Sequence, residues 1–557
     1  MIETGRAADV VVVGAGAAGC ALAARLADLG RRVLIVEAGA FTFDPVVTVP
    51  MGFVRTMVRP GLSSQYEVRP AQEGVAPEPD GACPGSAGEE PDPAGDDTGG
   101  NAHGSSETWL RGRGPGGSTL VNGTMYLRGE PHLYDALAAD LGAHWSWREF
   151  EPAFEAIERR LPVPPPASDP GDSEVLRALA GGLASTGVPF VPDVRAAVGP
   201  RAGRTPASIV RGRRAAAWRL VARHLATGRV RLVQRERAVR VVLERGRAVG
   251  VEVVDAKGRR LLHRGREVVL TAGALETPQL LERSGVGDPD RLASLGIELQ
   301  VASPQVGEGL REQRGATVKV RVRDGLGMNA ALRGRGLRRS VLEYLLTGSG
   351  RLARGPYDLV ASVDSRGGQH PDLQLLLTEV STDDDGLTPS GHAGLMVQAF
   401  PLVPRATGSV HVTGADVDAP PEVRGPLLGD PADREMAARA LEAARAVVGS
   451  DAVAAIDAEE LVPGRLVPSG DVAAAARYVR DTGGAIFHSV GTAAAGGTGA
   501  VLDERLRVRG VGGLRVADLS ALPSHTSGGT QSVAMALGHL AGGWIGEDGV
   551  AGREAHR

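Results

Sequence analysis

Two groups of residues near opposite ends of the chain have the types and spacing to do chemistry. One is Phe487-His488-Ser489-Val490-Gly491-Thr492, followed by Leu514-Arg-Val-Ala-Asp518-Leu-Ser-Ala-Leu-Pro523. It sets an imidazole on a loop ahead of an Asp-bearing strand-to-turn segment. An unperturbed imidazole has a pKa of about 6.5 and accepts a proton near neutrality. The other is Asp9-Val-Val-Val-Val-Gly14-Ala-Gly16-Ala17-Ala-Gly19, followed by Val33-Leu-Ile-Val-Glu37. That pattern binds a dinucleotide. A cofactor site together with an acid/base residue points to redox chemistry on a small molecule.

The elements that must hold these groups follow from the same residues. Val10 to Val13 is an apolar run of strand type. Gly14 permits the tight turn after it, Gly16 lets backbone approach a pyrophosphate, and Gly19 lets the next helix pack close to the strand. The spacing predicts a helix over 17–29, its positive dipole end aimed at the phosphates, with Gly30 where it stops. Glu37 ends the next strand, where a carboxylate accepts from ribose hydroxyls. The pattern does not separate FAD from NAD.

A chain of 557 residues can hold two domains with full cores. The net charge of −4, with Lys257 and Lys319 the only lysines, is no nucleic-acid footprint. The most basic stretch, Arg201 to Arg214, has one aromatic-free run of arginines and nothing to stack on bases. Cys20 and Cys83 alone make neither a disulfide framework nor a zinc cluster. No secretory pattern and no membrane-length apolar run is found, so a cytoplasmic protein without a membrane span is expected.

Residues 71–107 are rich in Gly, Pro, Asp and Glu and are expected to be a disordered insert. Pro162 to Asp172 reads as a second linker. Val230 to Val242 and Ala248 to Val254 alternate as a hairpin. Glu267-Val-Val-Leu-Thr-Ala-Gly273 reads as a buried strand, followed by a helix with Pro278 in its first turn. Beyond Arg311, strand-like pieces (Val318–Val322, Leu373–Leu377, Leu395–Leu402, Ser409–Thr413) alternate with helical ones (Pro431–Val448, Val472–Arg480). Such alternation suits an antiparallel sheet flanked by helices.

Four motifs in order resemble the glucose–methanol–choline (GMC) family of FAD-dependent oxidoreductases. They are the N-terminal fingerprint, Arg111 to Asn122 with Gly116-Gly-Ser-Thr-Leu-Val-Asn122-Gly, Glu267 to Gly287, and the His488–Pro523 region. The resemblance implies an α/β fold: a Rossmann-like FAD-binding domain built from both chain ends, interleaved with an α+β substrate domain carrying an antiparallel sheet. The expected division is 1–150, 206–310 and 481–557 for the FAD-binding parts, 151–205 for a cap segment and 311–480 for the substrate domain. It implies non-covalent FAD, since Val121 stands where some relatives attach the flavin through histidine. It implies cofactor contacts from Gly14, Gly16, Ala17, Gly19, Glu37, Ala38, Gly117, Ser118, Asn122, Gly123, Val239, Ala272, Gly273, Asp518, Thr530 and Gln531, and no metal.

His488 matches the family's active-site histidine. The second catalytic position, eleven residues after the Asp, is Gly529 here, with His525 or Gln531 as substitutes nearby. Val306-Gly-Glu-Gly309-Leu-Arg-Glu312-Gln313 also departs from the family's Val-Gly-Glu-Asn-Leu-x-Asp-His. The expected activity is oxidation of a CH–OH group of a small neutral or polyol-like substrate, by hydride transfer to the flavin with His488 as base. Electrons would pass to oxygen, a quinone or another redox carrier. The alternatives are an FAD-containing lyase of the same fold and a flavin-binding protein with a degraded site.

Overall fold

The computed structural model describes residues 2–3, 7–71, 106–171 and 173–554. The first full strand, Ala8–Val13, ends in four buried valines. An apolar run without alternation is what a parallel strand covered on both faces demands. It pairs in parallel with Val33–Glu37 on one side and with the second half of Arg260–Leu270 on the other. Val230–Gln234 extends the sheet past Val33–Glu37, and Leu514–Val516 joins it beside Val268–Leu270. One sheet therefore draws on both ends of the chain. Helix Ala17–Asp28 packs along the final helix, Thr530–Glu554. Gly538 makes the close approach: a Cβ there would sit 2.3 Å from the Ala18 carbonyl oxygen.

The stretch from Val230 to Val242, expected as one strand, is two. Val230–Gln234 lies in the parallel sheet, and Glu236–Glu244 lies in an antiparallel meander with Arg247–Asp255 and the first half of Arg260–Leu270. Arg235, left-handed at φ 59°, is the break. Alternation reads the same on either side of a single kinked residue, so the sequence pattern hides it.

A second, antiparallel sheet runs in the order Glu459–Val462, Arg314–Arg321, Gly394–Pro401, Leu373–Thr378, Leu359–Val363, Arg201–Arg204. Helices Glu174–Ser185, Pro431–Val448 and Val472–Thr482 share its core. Ser409–Thr413, expected with this group, forms Gly408–His411 in a separate sheet with Glu422–Gly425, Ser63–Pro70 and Glu107–Gly112. Periodicity gives a strand but not its partner. The segment 151–205 divides between the two cores. Phe154, Ile157 and Leu161 pack in the first, and Val175, Leu176 and Leu179 pack in the second.

Of the stretch 71–107, residues 72–105, with Cys83 and His103, lie outside the described residues; Glu107 opens a strand. Among the described residues no helix is long and apolar enough to cross a membrane, and no His/Cys/Asp/Glu group is placed to hold a metal.

Candidate active site

The floor of the site is backbone. Gly14 has φ 104°, and a Cβ on it would lie 2.6 Å from the Thr271 carbonyl oxygen; one on Gly19 would lie 2.1 Å from the Gly14 oxygen. The Thr271 hydroxyl bridges the Val13 and Gly14 carbonyls at 2.9 Å each. Gly117, at φ 53°, brings the second glycine-rich turn within 2.8 Å of Gly16 Cα, measured from where its Cβ would stand. Open ground remains around these contacts. Gly16 meets only Thr271 O, at 3.9 Å, and Gly273, at φ 93°, meets nothing within 4 Å. Ala17, Ala38 and Ala272 are partly exposed along the same loops, and Ser118 is exposed.

Glu37 is buried, and its carboxylate gathers three loops by accepting from the amides of Ala15 (2.9 Å), Gly39 (2.8 Å) and Gly114 (3.2 Å). Asp518 does the same for the C-terminal strand. It accepts from Gly273 N and the Thr277 hydroxyl on one oxygen, and from the amide and hydroxyl of Ser520 on the other. Burial pushes its pKa up while these donors pull it down. Val239 falls at a register shift in its strand, and its carbonyl accepts from Arg283 Nε at 3.1 Å.

Beside the floor, Asn122 anchors a chain of polar contacts. Its Oδ1 accepts from the Thr124 amide and from Arg214 Nη1. Its Nδ2 donates to Gln531 Oε1, and Gln531 Nε2 reaches the Ser208 hydroxyl at 3.1 Å. Gln531 is thus committed at both ends. Thr530 opens the last helix, so that helix begins at the Asn122 turn. Gly123 is covered by Pro356 and Tyr357. Among the described residues Arg214 pairs with no carboxylate, and burial lowers its pKa to about 9.

His488 stands on the third wall. Phe487, just before it, is held left-handed at φ 63°, a conformation that costs a non-glycine residue about 1–3 kcal/mol and persists only when the surroundings enforce it. Here they do. The buried Glu312 accepts from the His488 amide at 2.6 Å and from the Ser489 hydroxyl at 2.6 Å. Arg111 donates to that hydroxyl at 2.5 Å, lies 3.6 Å from Glu312, and sits over the rings of Trp109 and Phe487. Burial nevertheless raises the Glu312 pKa to about 7.

The His488 ring meets Gln313, with Nδ1 2.7 Å from Gln313 Oε1. The Gln313 amide nitrogen is already spent on two carbonyls, Leu402 O at 2.7 Å and Ser527 O at 3.2 Å. Carbonyls only accept, so Nε2 must face them and Oε1 must face the ring. His488 Nδ1 therefore carries the proton, and Nε2 keeps its lone pair. Burial, with His525 and Arg111 nearby, lowers the His488 pKa to about 3, so the ring is neutral.

His525 lies against the backbone of the same loop. Its Nε2 bonds the His488 carbonyl at 2.8 Å, and burial lowers its pKa to about 4. Gly529 is buried, and a Cβ there would find its nearest neighbours, Met125 and Leu127, at 3.7 Å. Phe400 crosses the His488 ring at a centroid distance of 6.3 Å. Leu127 and Phe400 belong to an apolar cluster that Met125, Tyr357 and Ile486 pack against.

The model of the GMC oxidoreductase N-terminal region matches residues 8–314, and that of the C-terminal region matches 404–538. The chain belongs to the GMC oxidoreductase family. It is accordingly an FAD-dependent enzyme acting on CH–OH donors. It is 27% identical over 544 residues to an alcohol dehydrogenase [acceptor] of Pseudomonas putida, covering 94% of this chain and 93% of that one. It is likewise 27% identical over 549 residues to pyridoxine 4-oxidase of Microbacterium luteolum, covering 95% and 97%. Among solved structures, formate oxidase superposes with a TM-score of 0.84 at 22% identity, over 98% of this chain and 99% of that one. The residues on hand fit FAD. The open faces of Gly16 and Gly273 leave room where side chains would intrude, and the helix at Ala17 offers its amides there.

Arg111, Glu312, Gln313 and Arg214 contact the candidate site residues and were not singled out for a role by the sequence pattern. Gln313 and Glu312 surfaced only as departures from a motif. Their meeting with His488 spans 175 residues or more and leaves no local signal.

Proposed function

We propose that the protein oxidises a small, uncharged alcohol, with His488 Nε2 accepting the hydroxyl proton. The observation that carries this reading is the Gln313 amide, fixed by two carbonyls and so fixing the imidazole tautomer. A base must present a lone pair to the proton it takes. The depressed pKa keeps His488 unprotonated over the working pH range. As the ring gains its proton, Gln313 Oε1 continues to accept from Nδ1 and holds the ring in place. Bound FAD supplies the electron acceptor for the substrate's CH–OH carbon. Gly14, Gly16, Gly19, Glu37, Gly117 and Gly273 shape its dinucleotide and ring-facing cradle. Asp518 acts through Gly273 and Thr277. His525 is a positioning residue that clasps the His488 backbone.

Met125, Leu127, Tyr357, Phe400 and Ile486 give the chamber an apolar wall. That wall favours an alcohol with an apolar body over a polyol. Glu312, the acid next to His488, is held by the backbone and Ser489, which disfavours a cationic substrate. Val121 is buried and lacks a nucleophile, so acid or urea should release the flavin free.

The test is anaerobic mixing of the holoenzyme with a panel of alcohols while flavin bleaching is followed. His488→Ala should slow bleaching by about 10²–10⁴-fold with FAD still bound. Equal rates in both proteins would remove His488 from the reaction and favour a lyase or a non-catalytic flavin protein.

A further inference from the structure

Four of the exposed large apolar side chains lie on one helix, Gly334–Thr347: Val341 (39% exposed), Leu342 (57%), Leu345 (74%) and Leu346 (76%). Arg335, Arg338 and Arg339 occupy its earlier turns and are exposed as well. Positions 335, 339, 342 and 346 recur at helical spacing, with 338 and 345 beside them, so arginines and leucines share one outward face. Among the described residues none of the three arginines pairs with a carboxylate. The sole acid on the helix, Glu343, stands at the edge of this face.

The opposite face does the anchoring and involves little. Ser340 and Tyr344 are its buried residues. The Ser340 hydroxyl donates to Ala331 O at 3.0 Å, and the Tyr344 hydroxyl donates to Gly212 O at 3.0 Å. Exposed Arg211 and Arg213 flank Gly212 and add two more cations at that contact. Nine and ten residues past the helix, Pro356 and Tyr357 cover Gly123 beside the proposed chamber.

We propose that this face docks on the surface of an anionic lipid bilayer, the leucines entering the acyl boundary and the arginines meeting headgroup phosphates. Interfacial binding grows with the apolar area that enters the acyl boundary and with attraction to anionic lipid, and this face offers both. Anionic lipid attracts each cation near the surface. A second copy of the chain is the poorer occupant: an antiparallel two-fold pairing of this helix would press the arginines of one copy onto the leucines of the other, and a parallel one would oppose arginine to arginine.

Vesicle flotation of the full FAD-loaded protein tests this. Vesicles of phosphatidylcholine with phosphatidylglycerol should carry at least about tenfold more protein than phosphatidylcholine alone, and high salt should erase most of that difference. Combined Leu342→Gln, Leu345→Gln and Leu346→Gln should abolish flotation while leaving flavin absorbance and alcohol-dependent bleaching unchanged. Combined Arg335→Gln, Arg338→Gln and Arg339→Gln should lower it about tenfold and flatten the salt dependence. The arginine set also serves if the leucine variant does not fold. Wild type that fails to float, or floats no better than the arginine variant, would overturn the proposal. So would a leucine variant that turns a dimer into a monomer, which would make the face a contact between copies.

Discussion

The proposed cofactor cradle and the proposed proton-handling chamber are built by opposite means. The cradle is backbone: Gly14, Gly19 and Gly117 stand where a Cβ would strike a main-chain atom at 2.1–2.8 Å. The chamber is side chains: Gln313, Glu312 and Arg111 hold His488, while Gly529 opens onto Met125 and Leu127 with room to spare. In the cradle a glycine is a steric necessity. In the chamber the glycine leaves free volume, and geometry is set by hydrogen bonds that a conservative substitution can tune.

The sharpest break of that contrast is Gly19→Val. Its Cβ would need the space 2.1 Å from Gly14 O, and the helix behind it cannot retreat without parting from the final helix. Loss of bound flavin from the purified protein, or insoluble protein, is the expected outcome. Flavin retained at wild-type stoichiometry would show that the cradle is softer than its backbone contacts imply.

Gln313 comes next. Gln313→Leu removes the acceptor that fixes the His488 tautomer, and should slow anaerobic flavin bleaching by about tenfold to a hundredfold, short of losing the base outright. FAD should stay bound. Gln313→Glu keeps an oxygen facing Nδ1 and adds a charge that favours imidazolium, so the acid limb of the rate profile should move to higher pH. A merely structural role for Gln313 would leave that limb where it is.

These two regions also differ in how far the sequence discloses them. The cradle is written in glycine spacing and terminal acids, each within a few dozen residues, because it obeys local backbone rules. Even there Arg235 hid a break between two strands, and Val239 lies at a register shift no pattern announces. The chamber is written in tertiary contacts. His488 was legible from its motif, but its fixed tautomer depends on Gln313 meeting Leu402 and Ser527. His525 stands near the vacant partner position in the sequence, but its contact with the His488 carbonyl is a tertiary detail that no motif announces.

That clasp has a pH signature. The folded pKa of His525 is about 4 against an ordinary 6.5, so between these values the unfolded chain binds the proton and the folded chain does not. Stability is then full above about pH 6.5 and falls as pH drops towards 4. His525→Gln keeps an N–H for the His488 carbonyl and removes the titration. Relative to wild type it should gain about 3 kcal/mol over that interval in denaturant unfolding. Parallel stability curves for the two proteins would show that His525 is not held neutral by the fold.

The smallest effect is expected at Gly529, and it is the counterpart of Gly19. A methyl there meets its nearest neighbours at ordinary contact distance, 3.7 Å from Met125 and Leu127, and the residue is not in the left-handed region. Gly529→Ala should therefore keep its flavin and change the bleaching rate by less than about threefold, below ~0.7 kcal/mol in barrier. By narrowing the unfolded ensemble it should stabilise the fold by about 0.4–1 kcal/mol, read from thermal unfolding. A rate loss of tenfold or more with stability intact would carry a different meaning: the volume beside Gly529 would be where the substrate lies, and the missing side chain would be a determinant of which alcohols enter.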